Sequence, residues 1–399
     1  MGDTPMTTPQ GFLFAARAGG LKKSGKLDLG LIFSVTPAAC AGVFTRNKVV
    51  AAPVQVSAPR VGNGLCQAVL VNSGNANACT GEQGRQDALE CGRLLSEVLA
   101  VPEPLVIVSS TGVIGVPLRM PVFAEQIPLL AGALGESHAG ALAEAMMTTD
   151  SFPKISSRTI MVDGRECRLL GIAKGAGMIH PDMATMLAFV VTDACVSSRF
   201  LDRTLRAAVG HSFNRITVDR DTSTNDMTLI MANGVIGNRE MDADSPDAGA
   251  FSTALQDILL DLAKMIVRDG EGATKLVRIQ VEGAVSDDDA LLVARSVATS
   301  PLVKTAFFGE DANWGRIIAA AGYSGAVLDP EGVRILFDQI PMVESGLGLG
   351  SGQELLATEV LKKPEFTVTI ELGLGTGTAY YYTSDLNYDY VRINAAYRT

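Results

Sequence analysis

Residues 174–187 read Lys-Gly-Ala-Gly-Met-Ile-His-Pro-Asp-Met-Ala-Thr-Met-Leu and place Thr185 between the small Ala184 and an apolar run. A small side chain before a threonine is a weak steric barrier to attack by the hydroxyl on the preceding carbonyl. If the chain cuts itself there, Thr185 gains a free α-amine that can serve as base for its own hydroxyl. The structural alternative is that a β-branched threonine simply begins the following strand.

The composition indicates a packed globular protein, for which a small-molecule substrate is the default expectation. Of 399 residues, 47% are hydrophobic and 19% are charged, and the formal net charge is −10. An acidic chain without a basic stripe argues against a broad nucleic-acid surface, because phosphate binding needs clustered Lys and Arg. No segment has the length of a membrane span or the pattern of a secretory signal, so we expect a cytoplasmic protein.

The six cysteines and three histidines do not indicate a metal site. No two cysteines have CxxC spacing, and the histidines are too few for a histidine-rich centre. The cysteines are therefore expected to be reduced and mostly buried. No metal and no tightly bound cofactor is predicted.

Short apolar runs bounded by polar or glycine residues predict strands at 65–71, 105–109, 186–192 and 366–372. Apolar residues at helical spacing predict helices at 86–100 and 251–267. Ser286 and Asp289 predict the start of a third helix that ends before Pro301. Because strands and helices alternate without a regular βα repeat, the pattern favours an α+β layered fold over a doubly wound sheet.

Two polar segments that follow predicted strands are candidate site elements. In residues 71–81, three asparagines within six residues suggest more than a connection, although a well-built turn is the simpler interpretation. Residues 109–115 place Thr111 beside Gly112, and a hydroxyl next to a backbone N–H at a strand end can form an oxyanion hole. An ordinary strand-to-turn transition remains the alternative there.

Three other features have simpler interpretations. The glycine-rich run 346–352 resembles a dinucleotide fingerprint, but it does not directly follow the predicted strand 334–337, so an exposed flexible loop is favoured. Lys174 on its own could be a solvated turn cation. Asp219, with Asp221 and Asn225–Asp226, lacks EF-hand spacing, and loop capping is favoured over cation binding.

Seven short blocks of sequence, distributed between residues 71 and 399, resemble one protein family. They are residues 71–81, 110–115, 147–150, 174–187, 269–275, 308–316 and 394–399. In all seven the chain closely resembles the ornithine acetyltransferase (glutamate N-acetyltransferase) family of arginine biosynthesis.

The resemblance implies a fold and a processing event. The fold is a layered α/β/β/α sandwich of the self-processing N-terminal-threonine type, with a smaller α/β lobe. Cleavage between Ala184 and Thr185 would give an alpha chain of residues 1–184 and a beta chain of residues 185–399, both remaining in one folded unit. Two such cleaved protomers would form a heterotetramer.

The resemblance also implies a role for each matching residue. Thr185 corresponds to the nucleophile, and Thr111 and Gly112 correspond to the oxyanion pair. The positions that correspond to substrate-binding residues are Thr148, Lys174, Thr185, Glu271, Asn394 and Thr399. Because the substrates carry carboxylate and ammonium groups, we expect Lys174 to bind a carboxylate and Glu271 to bind an ammonium.

One block departs from the family pattern, because Arg220 and Met227 stand where Gly and Thr are usual. If the usual glycine has a positive φ, Arg220 strains or reshapes that turn. None of the expected site residues lies in this block.

The implied reaction is ping-pong transfer of an acetyl group from N2-acetylornithine to glutamate through an acetyl-threonine ester. The sequence leaves open whether acetyl-CoA is a second acetyl donor. Three alternatives stay open: a self-processed N-terminal-nucleophile aminopeptidase or amidohydrolase, an oxidoreductase that binds a dinucleotide at residues 346–352, and a non-catalytic binding module with an uncleaved Thr185.

Overall fold

The computed structural model of the protein describes residues 7–180 and 186–396. These residues form two compact units, neither of which is continuous in sequence. The first unit lies within Met1–Gly175, Pro181–Asn214 and Thr222–Ile266. The second lies within Ala176–His180, Arg215–Asp221 and Val267–Thr399.

The described residues form strands of widely different lengths, most of them under eleven residues. They are β1 (Phe12–Arg17), β2 (Leu29–Phe44), β3 (Leu65–Asn72), β4 (Val106–Ser110), β5 (Lys154–Val162), β6 (Arg165–Lys174), β7 (Leu187–Thr192), β8 (Ile216–Thr217), β9 (Met227–Ala232), β10 (Leu276–Ala284), β11 (Arg334–Phe337), β12 (Ile340–Glu344), β13 (Leu347–Gly348), β14 (Glu365–Glu371) and β15 (Gly377–Ser384).

The helices in the described residues are interspersed with these strands along the chain. They are α1 (Ala52–Val61), α2 (Gly81–Leu99), α3 (Met120–Ala131), α4 (Ala139–Met146), α5 (Ser198–Gly210), α6 (Ala248–Arg268), α7 (Asp287–Thr299), α8 (Pro301–Phe308), α9 (Trp314–Gly322), α10 (Ser351–Leu361) and α11 (Tyr388–Ala395).

The first unit is built on a mixed sheet of eight strands. Its order is β4-β3-β2-β9-β7-β6-β5, and β1 pairs with β2. The pairs β3–β4 and β7–β9 are parallel, and the others are antiparallel. Strand β9 therefore joins the part of the sheet that contains β2, β3 and β4 to the part that contains β5, β6 and β7.

Both faces of β3 are buried, because helices cover the sheet on each side there. Ala68 and Leu70 pack in a cluster with side chains of α1, α2 and α3. Val69 and Val71 pack instead with side chains of α4. A strand buried on both faces has a continuous apolar run rather than an alternating one, as residues 65–71 do.

The second unit is built on a mixed sheet of seven strands. Its order is β13-β12-β11-β14-β10-β15-β8, in which β10–β14 and β15–β8 are parallel. The inward side chains of this sheet pack against α7, α8, α9 and α10 in one apolar cluster. Phe366, Val368 and Ile370 are buried in that cluster, as the alternation in residues 366–372 predicts.

Two mixed sheets with packed helices confirm the α+β class, and the strands and helices predicted from the sequence are all present. Helix α7 begins after Ser286, whose side chain accepts a hydrogen bond from the Asp289 N–H, and ends before Pro301. Four of the cysteines are buried, and none of the six forms a disulfide.

The glycine-rich run 346–352 is exposed, as expected, but the prediction that it is a flexible loop is wrong. Leu347 and Gly348 pair with β12 as the short strand β13. Helix α10 then begins at Ser351. Because this run closes a hairpin rather than joining a strand directly to a helix, it lacks the geometry of a dinucleotide fingerprint.

Within residues 7–180 and 186–396, no single helix is both long and apolar enough to cross a membrane, although the bent pair α7–α8 passes by length and composition.

Candidate active site

Thr111 and Gly112 form a turn directly after β4. The Thr111 N–H donates to the Asn72 carbonyl at 2.9 Å. Gly112 has a φ of +132°, and a Cβ atom there would lie 2.4 Å from the Gly74 carbonyl carbon. Only glycine fits this close approach of two backbones, so the turn depends on the identity of residue 112.

The asparagines of residues 71–81 hold the backbone that packs on this turn. The Asn72 amide donates to the Asn75 carbonyl at 2.9 Å, and its side-chain oxygen accepts from the Ser110 hydroxyl at 2.7 Å. The Asn75 side-chain oxygen accepts from the Asn77 N–H at 2.8 Å. The segment is a well-built turn whose asparagines satisfy backbone groups that a side chain without an amide would leave unpaired.

Lys174 is the last residue of β6 and is buried, so the interpretation as a solvated turn cation is wrong. Its Nζ atom lies 3.4 Å from Thr111 Oγ1. An ammonium has no acceptor lone pair, so Lys174 donates to the hydroxyl oxygen. The Thr111 hydroxyl hydrogen is therefore available to another acceptor.

Asp150 connects the loop that carries Thr148 to the end of β6. Its carboxylate accepts from the Thr148 N–H at 2.9 Å and from the Gly175 N–H at 2.6 Å. It also forms an ion pair of 2.8 Å with Lys154, and both side chains are fully buried. Asp150 lies in the family block 147–150, but no local pattern indicates its role, because these contacts join residues from separate elements.

The carboxyls near Lys174 differ in charge. Burial alone would raise the pKa of Asp150, but the ammonium groups of Lys174 and Lys154 outweigh burial and hold that pKa well below its usual range. Burial raises the pKa of Asp226 well above its usual value, and its Oδ2 atom has no hydrogen-bond partner among the described residues. Burial also lowers the pKa of Lys22 to about 8, against the opposing effect of nearby Asp28.

Glu271 and Asn394 lie together in the second unit. Asn394 Nδ2 donates to Glu271 Oε2 at 2.7 Å, and the Glu271 side chain is mostly buried. The Glu271 N–H donates to the Ala176 carbonyl at 3.0 Å. A Cβ atom at Gly177 would lie 2.4 Å from the Glu271 carboxyl carbon, so glycine at position 177 leaves room for this carboxylate.

The segment Met178–His180, just before the predicted cleavage point, is anchored within the second unit. Asp219 accepts from the N–H groups of Met178 and Ile179 at 2.6 and 2.8 Å. The Ile179 carbonyl accepts from the Val218 N–H at 2.8 Å. Asp219 therefore caps a loop, as predicted, and no group of side chains in the described residues could hold a metal ion.

The structure brings some predicted site residues together and does not describe others. Thr111, Gly112 and Lys174 are close to one another in the first unit, where Asp150 connects Thr148 to the residue after Lys174. Glu271 and Asn394 are in contact in the second unit. Ala184, Thr185 and Thr399 lie outside the described residues.

Comparisons with known proteins agree along the whole chain. A family model described as the ArgJ family matches residues 13–399. The arginine biosynthesis bifunctional protein ArgJ of Syntrophotalea carbinolica is 62% identical over 394 residues, which is 99% of this chain and 100% of that protein. The protein of the same name from Geobacter sulfurreducens is 55% identical and covers 98% of this chain and 99% of its own length.

A solved structure is also similar. The crystal structure of arginine biosynthesis bifunctional protein argJ from Bacillus halodurans is 44% identical, with a TM-score of 0.50. The match covers 52% of this chain and 97% of that one. By the family model and by identity over nearly its full length, this chain belongs to the ArgJ family.

Proposed function

We propose that this protein is an acetyltransferase of arginine biosynthesis that moves the acetyl group of N2-acetylornithine to glutamate, giving ornithine and N-acetylglutamate. Family membership and identity to bifunctional ArgJ proteins support the activity. The structural observation that carries the proposal is the buried Lys174 ammonium, 3.4 Å from the Thr111 hydroxyl at a turn that requires glycine. This arrangement places a cation and a polarised hydroxyl together in a site with little exposure.

The proposed nucleophile is Thr185, freed by cleavage after Ala184. Its α-amine takes the hydroxyl proton as the oxygen attacks the acetyl carbonyl of N2-acetylornithine. The tetrahedral intermediate then collapses with loss of ornithine, whose departing nitrogen receives the proton, and an acetyl ester remains on Thr185. The α-amine of glutamate attacks this ester and regenerates the hydroxyl.

Thr111 and Gly112 are the proposed donors to the oxyanion of each intermediate. The Thr111 N–H is already bonded to the Asn72 carbonyl, so Thr111 acts through its hydroxyl. Lys174 donates to that hydroxyl oxygen, which makes the hydroxyl a stronger donor. Donors that are fixed before the reaction stabilise the developing charge without reorganisation.

The charged ends of the substrates match two of the proposed binding residues. Lys174 pairs with a substrate carboxylate, and Glu271 accepts from an ammonium group. Thr148, Asn394 and Thr399 complete the proposed set of binding residues. Within the second unit, the bond from Asn394 to Glu271 orients the carboxylate.

Self-cleavage would give an alpha chain of residues 1–184 and a beta chain of residues 185–399, and we propose that two of each form a heterotetramer in the cytoplasm. The finer fold proposal is the α/β/β/α sandwich of self-processing enzymes. The length of the similar solved chain supports the division, since 97% of that chain matches only 52% of this one.

The test is a denaturing gel with intact mass on the parent protein and on Thr185→Ala, followed by transfer assays. We expect two fragments and acetyl transfer from the parent, and one inactive chain from the variant. N2-acetylornithine alone should add one acetyl group to the fragment that begins at Thr185. An uncleaved but active parent, or an acetyl group elsewhere, would overturn the mechanism.

The same assay separates the remaining possibilities. Release of ornithine at the same rate with and without glutamate would indicate an amidohydrolase rather than a transferase. Replacing N2-acetylornithine by acetyl-CoA, with glutamate as acceptor, shows whether a second acetyl donor is used.

A further inference from the structure

Asn225 lies two residues before β9 and contacts two carbonyl groups beside the oxyanion turn. Its Nδ2 atom donates to the Ser110 carbonyl at 2.9 Å and to the Ala76 carbonyl at 2.6 Å. Its side-chain oxygen accepts from the Thr224 hydroxyl at 2.6 Å. The side chain is 5% exposed, so water does not replace these bonds.

These contacts fix the peptide group that immediately precedes Thr111. The oxygen of that peptide is the Ser110 carbonyl, bonded to Asn225, and its N–H is that of Thr111, bonded to the Asn72 carbonyl. A peptide group is planar, so hydrogen bonds at both its carbonyl oxygen and its N–H fix its orientation. This orientation in turn fixes the backbone position of Thr111 and Gly112. The contact with Ala76 fixes the opposing loop in the same way.

We infer that Asn225 is the positioning residue of the oxyanion turn, holding the Ser110–Thr111 peptide so that Thr111 and Gly112 point at the reacting carbonyl. This inference rests on the proposed function. Only a primary amide supplies two N–H groups and one acceptor in a plane, which is the set used here. A carboxylate of the same shape would face two carbonyl oxygens with no hydrogen to offer.

The position of Asn225 in the sequence has a further consequence. Asn225 belongs to the predicted beta chain, whereas Ser110 and Ala76 belong to the predicted alpha chain. The oxyanion turn would thus be supplied by one fragment and held in place by the other. The sequence alone indicates Asn225 only as part of an acidic loop, because its partners are more than a hundred residues away.

Asn238 offers a matched control, because it makes the same kind of contact away from the site. Its Nδ2 atom donates to the carbonyls of Cys195 and Arg239 at 3.0 and 2.7 Å, and its oxygen accepts from the Cys195 N–H. Its side chain is 7% exposed, close to the value for Asn225. A purely structural role predicts similar effects from Asn225→Asp and Asn238→Asp.

The experiment measures kcat, KM and melting temperature for both variants on the cleaved enzyme. For Asn225→Asp we expect kcat to fall by about ten- to a hundredfold with KM changed little, since an oxyanion donor acts mainly in the transition state. For Asn238→Asp we expect a comparable loss of thermal stability and an unchanged kcat. Equal kcat values for the two variants would overturn the inference.

A more conservative variant, Thr224→Val, and a second measurement, amide hydrogen exchange, complete the test. Thr224→Val removes the hydroxyl that orients the Asn225 amide, and we expect a smaller loss of kcat, of a few-fold. Amide hydrogen exchange of residues 110–115 should be faster in Asn225→Asp than in the parent and unchanged in Asn238→Asp. If the parent transfers no acetyl group, the proposed function fails, while unchanged exchange in Asn225→Asp separately refutes the positioning role.

Discussion

Two buried carboxyl groups near Lys174, Asp150 and Asp226, differ in the pH range over which they are ionised. Asp150 is ionised beside Lys174 and already bonded to Lys154 and two backbone N–H groups. Asp226, also near Lys174, has its pKa raised by burial and is neutral over a wider pH range. Lys174 therefore has one ionised carboxylate and one carboxyl of raised pKa as neighbours.

Replacing Lys174 by Met tests its proposed pairing with a substrate carboxylate. Loss of the ammonium should raise KM for both substrates at least about tenfold, because a charge-assisted hydrogen bond is among the stronger polar contacts. Steady-state kinetics in both half-reactions provide the measurement. Lys275→Met, which removes a mostly buried lysine paired with Glu310 in the second unit, is the control. A normal KM for both substrates in Lys174→Met would contradict the assignment.

Thr111→Ala removes the hydroxyl proposed as an oxyanion donor. One such donor contributes about 3 kcal/mol, so kcat should fall roughly a hundredfold without vanishing. Thr111→Ser retains the hydroxyl and should keep most of the activity. Single-turnover acetylation of the enzyme by N2-acetylornithine measures the step directly, and equal rates for the Ala and Ser variants would refute the role.

Lys304 in α8 predicts a pH dependence of stability. It is fully buried, donates to Thr383 and Ser384, faces Asp385 and Asp219, and burial lowers its pKa from 10.5 to about 7. Between these pH values the unfolded chain binds more protons than the folded one, so the free energy of unfolding rises with pH from about 7 upward. Below pH 7 both states are protonated and this contribution is constant.

Lys304→Met removes that titration. The difference in unfolding free energy between the parent and the variant should grow in favour of the parent by about 1 kcal/mol per pH unit above pH 7. Urea unfolding at several pH values between 7 and 9 gives the difference. If it stays constant across that range, the ammonium of Lys304 does not lose its proton on folding in this interval.

At the level of elements, the sequence predicts helices and strands that have a regular apolar pattern and misses those that do not. Helix α2 begins at Gly81, five residues before the predicted start, because its first turn is polar and carries no apolar periodicity. Strand β2 was not identified from the sequence. Its central residues 35–37 are exposed, and its register with β3 shifts between Phe33 and Ala38.

The site was predictable in part. Family blocks identified Thr111, Lys174 and Glu271, and the structure places the first two together. The supporting residues Asp150 and Asn225 were not assigned, because their roles come from contacts between distant elements that no local spacing encodes.

The turn at Arg220 is where the sequence predicts strain, because the family pattern is expected to have glycine at this position. Arg220 has a φ of +70°, so the strain expected for a non-glycine residue there is present. Arg220→Gly should stabilise the protein by about 1 kcal/mol, because the left-handed conformation disfavours a side chain. Arg220→Ala removes the guanidinium but keeps Cβ. Urea unfolding that shows equal stability for these two variants would contradict a backbone origin of the strain.

At the level of the molecule, the two predicted fragments are interleaved in both units. Strands β7 and β9, which follow the predicted cut, lie inside the sheet of the first unit. Residues Ala176–His180, which precede it, belong to the second unit. Cutting one peptide bond leaves these sheet bonds in place, so processing alone does not release either fragment.

We therefore expect both fragments to elute together under native conditions at any practical dilution. The sheet of the first unit should unfold in one transition that involves both fragments, because β1–β6 precede the predicted cut and β7 and β9 follow it. Size-exclusion chromatography and urea unfolding followed by fragment-specific mass spectrometry test this, with uncleaved Thr185→Ala as the reference. Elution of residues 1–184 alone from native protein would contradict it.

The central position of β9 also has a consequence during synthesis, because two strands that precede it in the chain pair with it. It joins β2 to β7, and until residues 227–232 leave the ribosome both of those strands present open edges. Open edges in a nascent chain pair readily with other chains. We therefore expect a chain truncated between β7 and β9 to expose both edges and to aggregate rather than to form a smaller folded protein.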